Sequence, residues 1–469
     1  MKSTASNIRL LSARVAFSPQ PFARPLQLSG GTITEITQAD AVVQIACGDQ
    51  EAVGRGSIYL SDLWAWPDAA LTHEFRDAHM QQYSVRLAQA LPDILQTPAH
   101  PLELGMQLHE AVYQDNTTPV PLMARLVCAS SFDAAIHDAA GQALGCSAFS
   151  LYADDVPVPS ADGLFPGSSA TEAIRAMLQP PAAAATGWYV VSGTDPLTDD
   201  FHRFIQSGGF HAFKLKTHGK DPEADAARTV EVYRKALAAG VSAPRLSADS
   251  NEGNPDADSV LDFLKSVQRR DAEAFAALEY LEQPTGRDLT KHAWDWREVA
   301  SLKPVYADEG LTGPQVLPLL LQQGWSGICL KTCKGHSFNL VAGAWAHARG
   351  LHLTVQDLTN PGAGALHSCL MALHTPSRNG VELNSPQFTP AANADWQERE
   401  PGLFLPTDGR HRVLNPHTAG LGASPPREDQ DGADRLRVPD FHENAMRSRP
   451  EKNLALEQKI PAHFPGNHA

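Results

Sequence analysis

The sequence lacks the features of several large protein classes. No stretch approaches the roughly 18 consecutive apolar residues of a membrane-spanning helix, and the N-terminus has no apolar segment of signal-peptide length. Basic residues are outnumbered, with 38 Lys and Arg against 53 Asp and Glu, and the formal net charge is −15. Such a chain does not attract a nucleic-acid backbone, because phosphate binding needs a basic surface. We therefore expect a soluble cytoplasmic protein with neither a membrane nor a nucleic acid as its partner.

Two chemical signatures are also missing. The six cysteines form no CxxC pair, and Cys329 and Cys333 have no second pair that would complete a zinc site. We interpret all six as buried free thiols of a reducing compartment. No GxGxxG turn follows a predicted strand, which argues against a dinucleotide-binding sheet.

The length of 469 residues predicts two domains with appendages, and a hydrophobic content of 42% is enough for a large core. The first 150 residues indicate strands followed by helices, which is typical of an α+β domain. A Pro- and Ala-rich linker follows, and residues 424–469 are polar with weak periodicity, so that a surface-wrapping and a disordered tail both stay open. The expected N-terminal elements are strands at 8–16 and 40–48, a turn at Ser29-Gly30-Gly31, and helices at 68–96, 101–114 and 131–144.

From Trp188 onward, short β-rich segments alternate with helical ones. Eight strands with intervening helices in about 200 residues favour a parallel (β/α) barrel over a doubly wound open sheet, so we predict an α/β barrel. The predicted strands are 188–192, 211–216, 245–249, 277–282, 304–308, 326–331, 351–356 and 380–384, and the predicted helices include 222–238, 255–270, 313–323 and 337–349.

Lysines stand at the end of the second predicted barrel strand. Lys214 and Lys216 alternate with Phe213 and Leu215, so the lysines share one face of the strand and the apolar residues share the other. Because the outer face of a barrel packs on helices, we expect the lysines to point inward. The alternative is a solvated edge strand, where such a pattern is common.

The next three predicted strands each end at a carboxylate, namely Asp249, Glu282 and Asp308. Taken singly, each acid is explained equally well as a helix N-cap or a turn residue. Together they converge on the face where barrel enzymes build their sites, and converging carboxylates repel each other unless a cation lies between them. Ligation by oxygen alone suits a hard divalent ion, magnesium before manganese.

The sixth predicted strand ends at Lys331. Strands two and six of an eight-stranded barrel lie opposite each other, so Lys216 and Lys331 are predicted to face a substrate from two sides. A metal ion that binds the substrate carboxylate would stabilise the enediolate formed when the α-proton leaves. A lysine must be neutral to act as a base, and we expect the metal ion and the fellow lysines to lower its pKa. The alternative is that the lysines only neutralise the acids.

Five segments carry a resemblance to a known family. FKLKTHG, SADSNEG, YLEQP, VYADEG and CLKTCKG resemble the enolase superfamily in order and spacing, and within it the mandelate racemase and muconate-lactonizing-enzyme family, in particular its muconate-lactonizing-enzyme-like group. Sites of that superfamily use a Lys or His base with magnesium. The resemblance implies metal ligands at Asp249, Glu282 and Asp308, an acid–base pair at Lys216 and Lys331, and a contact of Lys214 with the substrate carboxylate.

The resemblance extends to about residues 8–423. SSFDAAIHDAAGQALG resembles the helix that joins the family's capping domain to the barrel, and DGRHRVLNPHTAGLG resembles the segment that returns to the cap. The implied fold is a modified TIM barrel with an N-terminal α+β capping domain. The implied boundaries are 1–150 for the cap, 151–186 for the linker, 187–390 for the barrel, 391–423 for the return segment and 424–469 for the C-terminal extension.

The cap is expected to place two loops, at 21–31 and 54–64, over the barrel mouth, where they exclude water. Their candidate substrate contacts are Arg24, Tyr59 and Trp64, each of which is equally well explained by packing or by surface exposure.

The sequence departs from the family pattern at three places. Gly335 is followed by His336 where the family often has a second glycine. The seventh strand, TVQDLTNPG, lacks the usual Glu-Ser pair and leaves Asp357 or Asn360 near that position. The eighth strand, VELNSP, has a Glu and an Asn where dipeptide epimerases of the family carry two aspartates. The resulting candidates for substrate binding in the barrel are Asn251, Asp357, Glu382 and Asn384, in addition to Lys214.

The leading hypothesis is a racemase or epimerase that transfers the α-proton of a small carboxylate between two lysines with Mg²⁺, for which Mn²⁺ is a possible substitute. The alternatives are a lyase or cycloisomerase of the same superfamily, a Schiff-base barrel aldolase that uses Lys331 or Lys216 as its nucleophile, and a non-catalytic carboxylate-binding protein. We further expect a homo-oligomer.

Overall fold

The structure, a computed structural model, describes residues 7–28, 30–193 and 195–423. The predicted turn residue Ser29 and the extension at 424–469 lie outside these residues. The N-terminal part is a three-stranded antiparallel sheet in the order β1-β2-β3, followed by helices. Its elements are β1 (Arg9–Leu28), β2 (Gly31–Cys47), β3 (Gln50–Tyr59), α1 (Asp62–Ala65), α2 (His73–Ile94), α3 (Pro101–Gln114) and α4 (Leu122–Leu144).

Strands β1 and β2 form a hairpin that is longer than predicted. Their pairing continues to Leu28 opposite Gly31, with an irregularity between Pro21 and Leu26. Residues 21–28 of the segment predicted as a loop therefore lie in β1, and those at 21 and 26–28 pair with β2. The prolines of this segment concealed the strand pattern, because proline is usually confined to edge strands and bulges.

Helix α4 lies directly on β3 because two glycines leave no side chain between them. A Cβ atom at Gly54 would lie 2.1 Å from the carbonyl oxygen of Ala135, and one at Gly56 would lie 2.0 Å from that of Ser131. The predicted helix start at Ser131 was wrong, since the helix begins earlier, at Leu122, and Ser131 is buried inside it. Small residues on this helix face permit the close approach.

Two segments predicted as irregular contain regular structure. The segment 151–186 includes two short helices and a short strand, and Ser169 caps the second helix by accepting a hydrogen bond from the backbone N–H of Glu172 at 3.1 Å. The segment 54–64, predicted as a loop, contains the end of β3 and helix α1. The elements of the first segment are α5 (Pro159–Asp162), α6 (Ala170–Met177) and β4 (Ala185–Thr186), preceded by a 3-10 helix at Ala148–Ser150.

The remaining sheet is an eight-stranded parallel barrel, ordered from β5 to β12 as along the chain. A bridge between Gly187 and Val381 brings the first and last strands together. The elements are β5 (Trp188–Val191), α7 (Asp199–Gly208), β6 (Ala212–Lys216), α8 (Pro222–Ala238), β7 (Arg245–Asp249), α9 (Ala257–Arg270), α10 (Ala272–Ala277), β8 (Leu278–Glu282), α11 (Arg297–Leu302), β9 (Val305–Ala307), α12 (Leu317–Gln322), β10 (Gly327–Lys331), α13 (His336–His347), β11 (His352–Gln356), α14 (Gly362–His374) and β12 (Ser377–Glu382), with 3-10 helices at Pro314–Val316 and Thr332–Lys334.

The prediction of an α/β barrel with an N-terminal α+β domain is confirmed, and each of the eight predicted strands overlaps an observed one. The sequence pattern did not reveal α14, because GAGALHSCLMALH has no polar face from which a helical period can be recognised. None of the helices in the described residues is both long enough and apolar enough to cross a bilayer.

Aromatic residues fill the barrel interior on the N-terminal side of the strand ends that carry the charged residues. Tyr280 and Tyr306 stack with ring centroids 4.6 Å apart, and Trp188 contacts Tyr280 edge-on at 5.7 Å. Together with Ala212 and Cys329 they form a buried cluster separate from the main core. This layer fills the barrel interior with buried side chains.

After the barrel, the chain returns to helix α4. Leu421 donates its backbone N–H to Asp138 at 2.8 Å, and Gly420 accepts a hydrogen bond from the N–H of Ala148 at 2.9 Å. A Cβ atom at Gly141 would lie 2.4 Å from the Cα of Gly420, so the two backbones touch. The intervening elements are α15 (Ser385–Phe388), a 3-10 helix at Pro390–Asn393, α16 (Ala394–Arg399), α17 (Pro401–Phe404) and β13 (Arg410–His411), which pairs with β4.

A buried cluster of histidines joins α4 to the barrel. His336 Nδ1 lies 2.9 Å from His367 Nε2, and the rings of His137 and His336 lie 4.4 Å apart. Asp133 lies 3.2 Å from His137. Burial lowers the pKa of His336 well below its ordinary value and lowers the pKa of His367 to about 3. Both imidazoles are therefore neutral in the folded protein at ordinary pH.

We predict that acid destabilises the protein through this cluster. The unfolded chain protonates these histidines below a pH of about 6.5, whereas the folded protein keeps His367 neutral down to a pH of about 3. The free energy of unfolding should therefore fall by roughly 1.5 kcal/mol for each such histidine between about pH 6.5 and about pH 5. Urea titrations at several pH values measure this change.

The variant His367→Gln should show a shallower pH dependence of the free energy of unfolding. His347→Gln, at an exposed position on α13, is the matched control and should keep the slope of the parent. Equal slopes for the parent and His367→Gln would contradict the assignment.

Candidate active site

The three predicted metal ligands lie at the carboxyl ends of adjacent barrel strands. Asp249 ends β7 and pairs in register with Glu282, which ends β8, and Asp308 directly follows β9. All three side chains are fully shielded from solvent. Three buried acids on neighbouring strands repel one another unless positive charge lies between them.

Lys214 and Lys216 supply part of that charge from β6. The Nζ of Lys214 lies 2.8 Å from Glu282, 3.0 Å from Asp249 and 2.7 Å from Glu382. The Nζ of Lys216 lies 2.6 Å from Asp249. Both lysines point inward, as predicted, and the edge-strand alternative is excluded because β6 pairs on both sides.

Lys331 and Lys334 supply the remaining ammonium groups from the opposite side of the barrel. Lys331 ends β10 and forms an ion pair with Asp308. The Nζ of Lys334 lies 2.9 Å from the same carboxylate and 2.7 Å from the Asp308 carbonyl oxygen. Because β6 and β10 are four positions apart in the strand order, Lys216 and Lys331 stand on opposing strands, as predicted.

In the part of the chain that the structure describes, no group of three or more His, Cys, Asp or Glu side chains is arranged to hold a metal ion. The Nζ of Lys214 lies between Asp249 and Glu282, and Lys331 and Lys334 both form ion pairs with Asp308. The donor type nevertheless fits a hard divalent cation, since the three carboxylates offer only oxygen.

The charge of the cluster also fits a divalent cation. Six buried carboxylates face four lysines, an excess of two negative charges when all are ionised. Some of these acids are protonated near neutral pH, because burial and then the neighbouring Asp249 raise the pKa of Glu282 to about 8. Burial and the neighbouring Asp308 likewise raise the pKa of Glu309 to about 7. The members are Asp249, Glu282, Asp308, Glu309, Asp357 and Glu382, and Lys214, Lys216, Lys331 and Lys334.

The expectation of a lowered lysine pKa is not met for Lys331 among these side chains. Burial disfavours the ammonium form, but Asp308 and Glu282 outweigh burial and raise the pKa of Lys331 well above its ordinary value. Burial also opposes the ionisation of Asp308, but Lys331 and Lys334 hold its pKa below the usual range. The lysine is therefore an ammonium ion as long as this ion pair persists.

A small cavity of about 30 Å³ lies between the barrel mouth and the β1–β2 hairpin. Its barrel side is polar and contains Lys216, Lys331, Asp357, Glu382 and Asn384. Its hairpin side is apolar and contains Phe22, Leu26, Leu28, Ile33 and Ile36. The hairpin thus covers the charged strand ends with a hydrophobic surface.

Four predicted substrate contacts line this cavity, namely Asp357, Glu382 and Asn384 from the barrel and Trp64 from the N-terminal domain. Asp357 accepts a hydrogen bond from the backbone N–H of Thr359 at 2.9 Å, and burial together with Glu382 raises its pKa well above the ordinary value. Asn384 donates to Glu382 at 2.9 Å. The three barrel side chains present a polar surface beside the two opposed lysines.

The structure holds two other predicted substrate contacts against barrel side chains. Arg24 donates to the hydroxyl of Tyr189 at 3.2 Å and forms an ion pair with Asp195 at 3.4 Å. Tyr59 is fully buried, and its backbone N–H donates to Asn360 at 2.8 Å. Neither residue lines the cavity, and both join the N-terminal domain to the barrel.

Lys214 and Asn251 are likewise absent from the cavity lining. Lys214 is engaged by three carboxylates, as described above. Asn251 donates its side-chain amide to Glu309 at 3.1 Å and to Asp249 at 3.3 Å. These contacts fix the carboxylate oxygens in place.

Sequence reasoning assigned no role to Lys334, Glu309 or Gln356, all of which contact the cluster. Gln356 ends β11 and donates its side-chain amide to Glu282. Lys334 follows Lys331 in CLKTCKG, and the 3-10 helix after β10 turns it toward Asp308. For Lys334 and Glu309, the available signal was the presence of further charged residues just after the strand ends.

Comparisons with known proteins agree with this fold. Residues 197–430 match the family model described as enolase C-terminal domain-like. Comparison with the curated proteins finds no match.

Solved structures with the same fold cover most of the chain. An N-succinyl Arg/Lys racemase from Bacillus cereus is 15% identical with a TM-score of 0.62, covering 92% of this chain and 98% of its own. A dipeptide epimerase from Enterococcus faecalis, complexed with Mg and a dipeptide, is 17% identical with a TM-score of 0.60, covering 89% and 100%. A muconate lactonizing enzyme from Pseudomonas fluorescens, complexed with muconolactone, is 16% identical with a TM-score of 0.59, covering 91% and 99%. At these identities, the likeness shows the fold.

Proposed function

Because the chain belongs to the enolase C-terminal domain-like family, we propose that it is a magnesium-dependent racemase or epimerase acting on a carboxylate substrate. The observation that carries this proposal is the pair of lysines on opposing strands, Lys216 and Lys331, which line one small cavity beside a buried carboxylate cluster. An α-carbon held between two such amines can lose a proton to one lysine and receive one from the other.

The metal ligands in this proposal are Asp249, Glu282 and Asp308, with Mg²⁺ as the ion and Mn²⁺ as a possible substitute. The excess of two negative charges in the cluster supports a divalent ion. When bound, the ion would hold the substrate carboxylate and stabilise the charge that develops as the α-proton leaves.

The lysines exchange protons at Nζ. Lys216 acts on one face of the substrate and Lys331 on the other, and each must be neutral when it accepts a proton. Asp308 is both the ion-pair partner of Lys331 and a proposed metal ligand. Metal binding would weaken that ion pair and so lower the pKa of Lys331 toward the working pH.

The cavity walls support a substrate class. The polar barrel side can bind a polar substituent through Asp357, Glu382 or Asn384, whereas the hairpin presents Phe22 and Leu26. We propose a substrate whose α-carbon carries an apolar group that faces the hairpin. A volume of about 30 Å³ is too small for such a substrate, so the proposal requires the hairpin to move when the substrate enters.

A lyase or cycloisomerase is the second candidate, and the unequal environments of the two lysines favour it. The Lys331 side chain is 4% exposed and two carboxylates hold it as an ammonium ion, whereas the Lys216 side chain is 10% exposed. In one-base chemistry, Lys216 would take the proton and Lys331 would stay charged. The same raised pKa disfavours Lys331 as a Schiff-base nucleophile, which needs a neutral amine.

We predict that each lysine serves one face of the substrate. N-succinyl amino acids and dipeptides with apolar side chains, incubated with Mg²⁺ in deuterium oxide, should gain deuterium at the α-carbon and invert. Lys216→Ala and Lys331→Ala should each lower inversion by about 10²-fold to 10⁴-fold. Each should still exchange the enantiomer whose α-proton faces the remaining lysine, as measured by NMR.

The exposed Lys265→Ala on α9 is the matched control and should behave like the parent. Exchange that persists after both lysines are removed would refute the two-base mechanism. A product with changed unsaturation or carbon skeleton would instead identify the lyase or cycloisomerase.

We also predict that Mg²⁺ stabilises the protein through Asp249. A ligand that binds only the folded state at a hundred times its Kd adds about 2.7 kcal/mol to the free energy of unfolding. The variant Asp249→Asn should lose most of this increment, because the amide has one oxygen fewer than the carboxylate and carries no negative charge. Thermal unfolding with and without Mg²⁺ measures the difference, with the exposed Asp262→Asn as control. An unchanged response in Asp249→Asn would reject this residue as a ligand.

A further inference from the structure

One side chain of the N-terminal domain contacts one of the two lysines and not the other. Trp64 lies on α1, and its ring stands 4.7 Å from the Nζ of Lys331, within cation–π distance. No aromatic ring in the described residues lies at this distance from Lys216, whose Nζ contacts Asp249. The two lysines therefore have different surroundings, and this difference comes from a residue of the N-terminal domain and not from the barrel.

The indole N–H of Trp64 also forms a hydrogen bond with the carboxylate cluster. It donates to Glu309 at 2.8 Å, and the same Glu309 oxygen accepts from Asn251 at 3.1 Å. Glu309 directly follows Asp308, the ion-pair partner of Lys331. Trp64 thus contacts both Lys331 and Glu309, the residue that follows the ion-pair partner of Lys331.

The barrel fixes the backbone that carries this ring. Arg287, from the loop after β8, donates to the carbonyl oxygen of Trp64 at 3.1 Å and is itself held by Glu252 at 2.9 Å. On the other side, Asp62 of α1 pairs with Arg76 of α2 at 2.8 Å. Because α1 is held from both sides, the ring stays over Lys331 whenever the cap is in place.

We propose that Trp64 is a positioning residue for Lys331 alone, so that the cap controls one of the two proton-transfer faces. The inference rests on the proposed function. A lysine side chain is a flexible chain of four carbons, and its Nζ must point at the α-carbon rather than remain beside Asp308. The ring limits where Nζ can go, and a displacement of about 1 Å at a reacting group costs on the order of 10²-fold in rate.

The test compares the two faces of one substrate. The variants Lys216→Ala and Lys331→Ala first establish which enantiomer of N-succinylphenylalanine exchanges through which lysine. Trp64→Leu should then slow the exchange that runs through Lys331 by about 100-fold and change the other exchange by less than about threefold. Trp64→Phe keeps a ring and should restore most of the lost rate.

Trp66→Leu is the matched control, since Trp66 lies at the end of the same helix and contacts Phe75 and His79 instead of the site. This variant should change the exchange rates on the two faces by the same factor, or change neither. If Trp64→Leu slows both faces by the same factor, Trp64 has only a structural role and the proposal is overturned.

A second measurement needs no substrate and separates this proposal from the proposed function. Lysine acetylation followed by mass spectrometry should show Lys331 labelled faster in Trp64→Leu than in the parent, with the rate at Lys216 unchanged. Faster labelling of Lys331 without deuterium exchange in any N-succinyl amino acid or dipeptide supports the contact and counts against the two-lysine function. If the labelling rate rises equally at both lysines, or rises at neither, the positioning role is overturned.

Discussion

The compensation of buried charge inside the barrel is the constraint on which the rest of the structure depends. The acids at the ends of adjacent strands are out of water, where an unpaired carboxylate is costly, and the lysines of β6 and of the β10 end lie among them. Burial, followed by the neighbouring Asp249, raises the pKa of Glu282 to about 8, so that this carboxyl holds a proton near neutral pH. A divalent cation bound among these acids would take the place of such protons.

The N-terminal domain is part of this site and not merely attached to it. Its hairpin covers the charged strand ends with apolar side chains, and Arg24 fastens the hairpin to Tyr189 and Asp195. Its short helix brings Trp64 to Lys331. Because the charged side chains of the cluster are buried, each electrostatic contact among them is stronger than it would be at an open surface. In the proposed function, the barrel supplies the reactive groups and the N-terminal domain supplies their environment.

The barrel strands were predictable because each combines an apolar alternation with a charged residue at its carboxyl end, as in the segment that ends at Lys216. The positions of Asp249 and Lys331 followed from the same pattern. The contact between Trp64 and Lys331 was not predictable, because it depends on how a cap helix docks on the barrel. The same holds for the histidine cluster around His336, whose members come from segments far apart in the sequence. Helix α14 was missed because buried helices have no polar face.

The most direct test of the account is to titrate the protein with Mg²⁺ by calorimetry at about pH 7 in buffers of different ionisation enthalpy. The account predicts one ion bound per chain and the release of protons, since Glu282 and Glu309 have pKa values of about 8 and about 7 and must ionise fully beside the ion. Binding of no ion, or binding without any proton release, would contradict it.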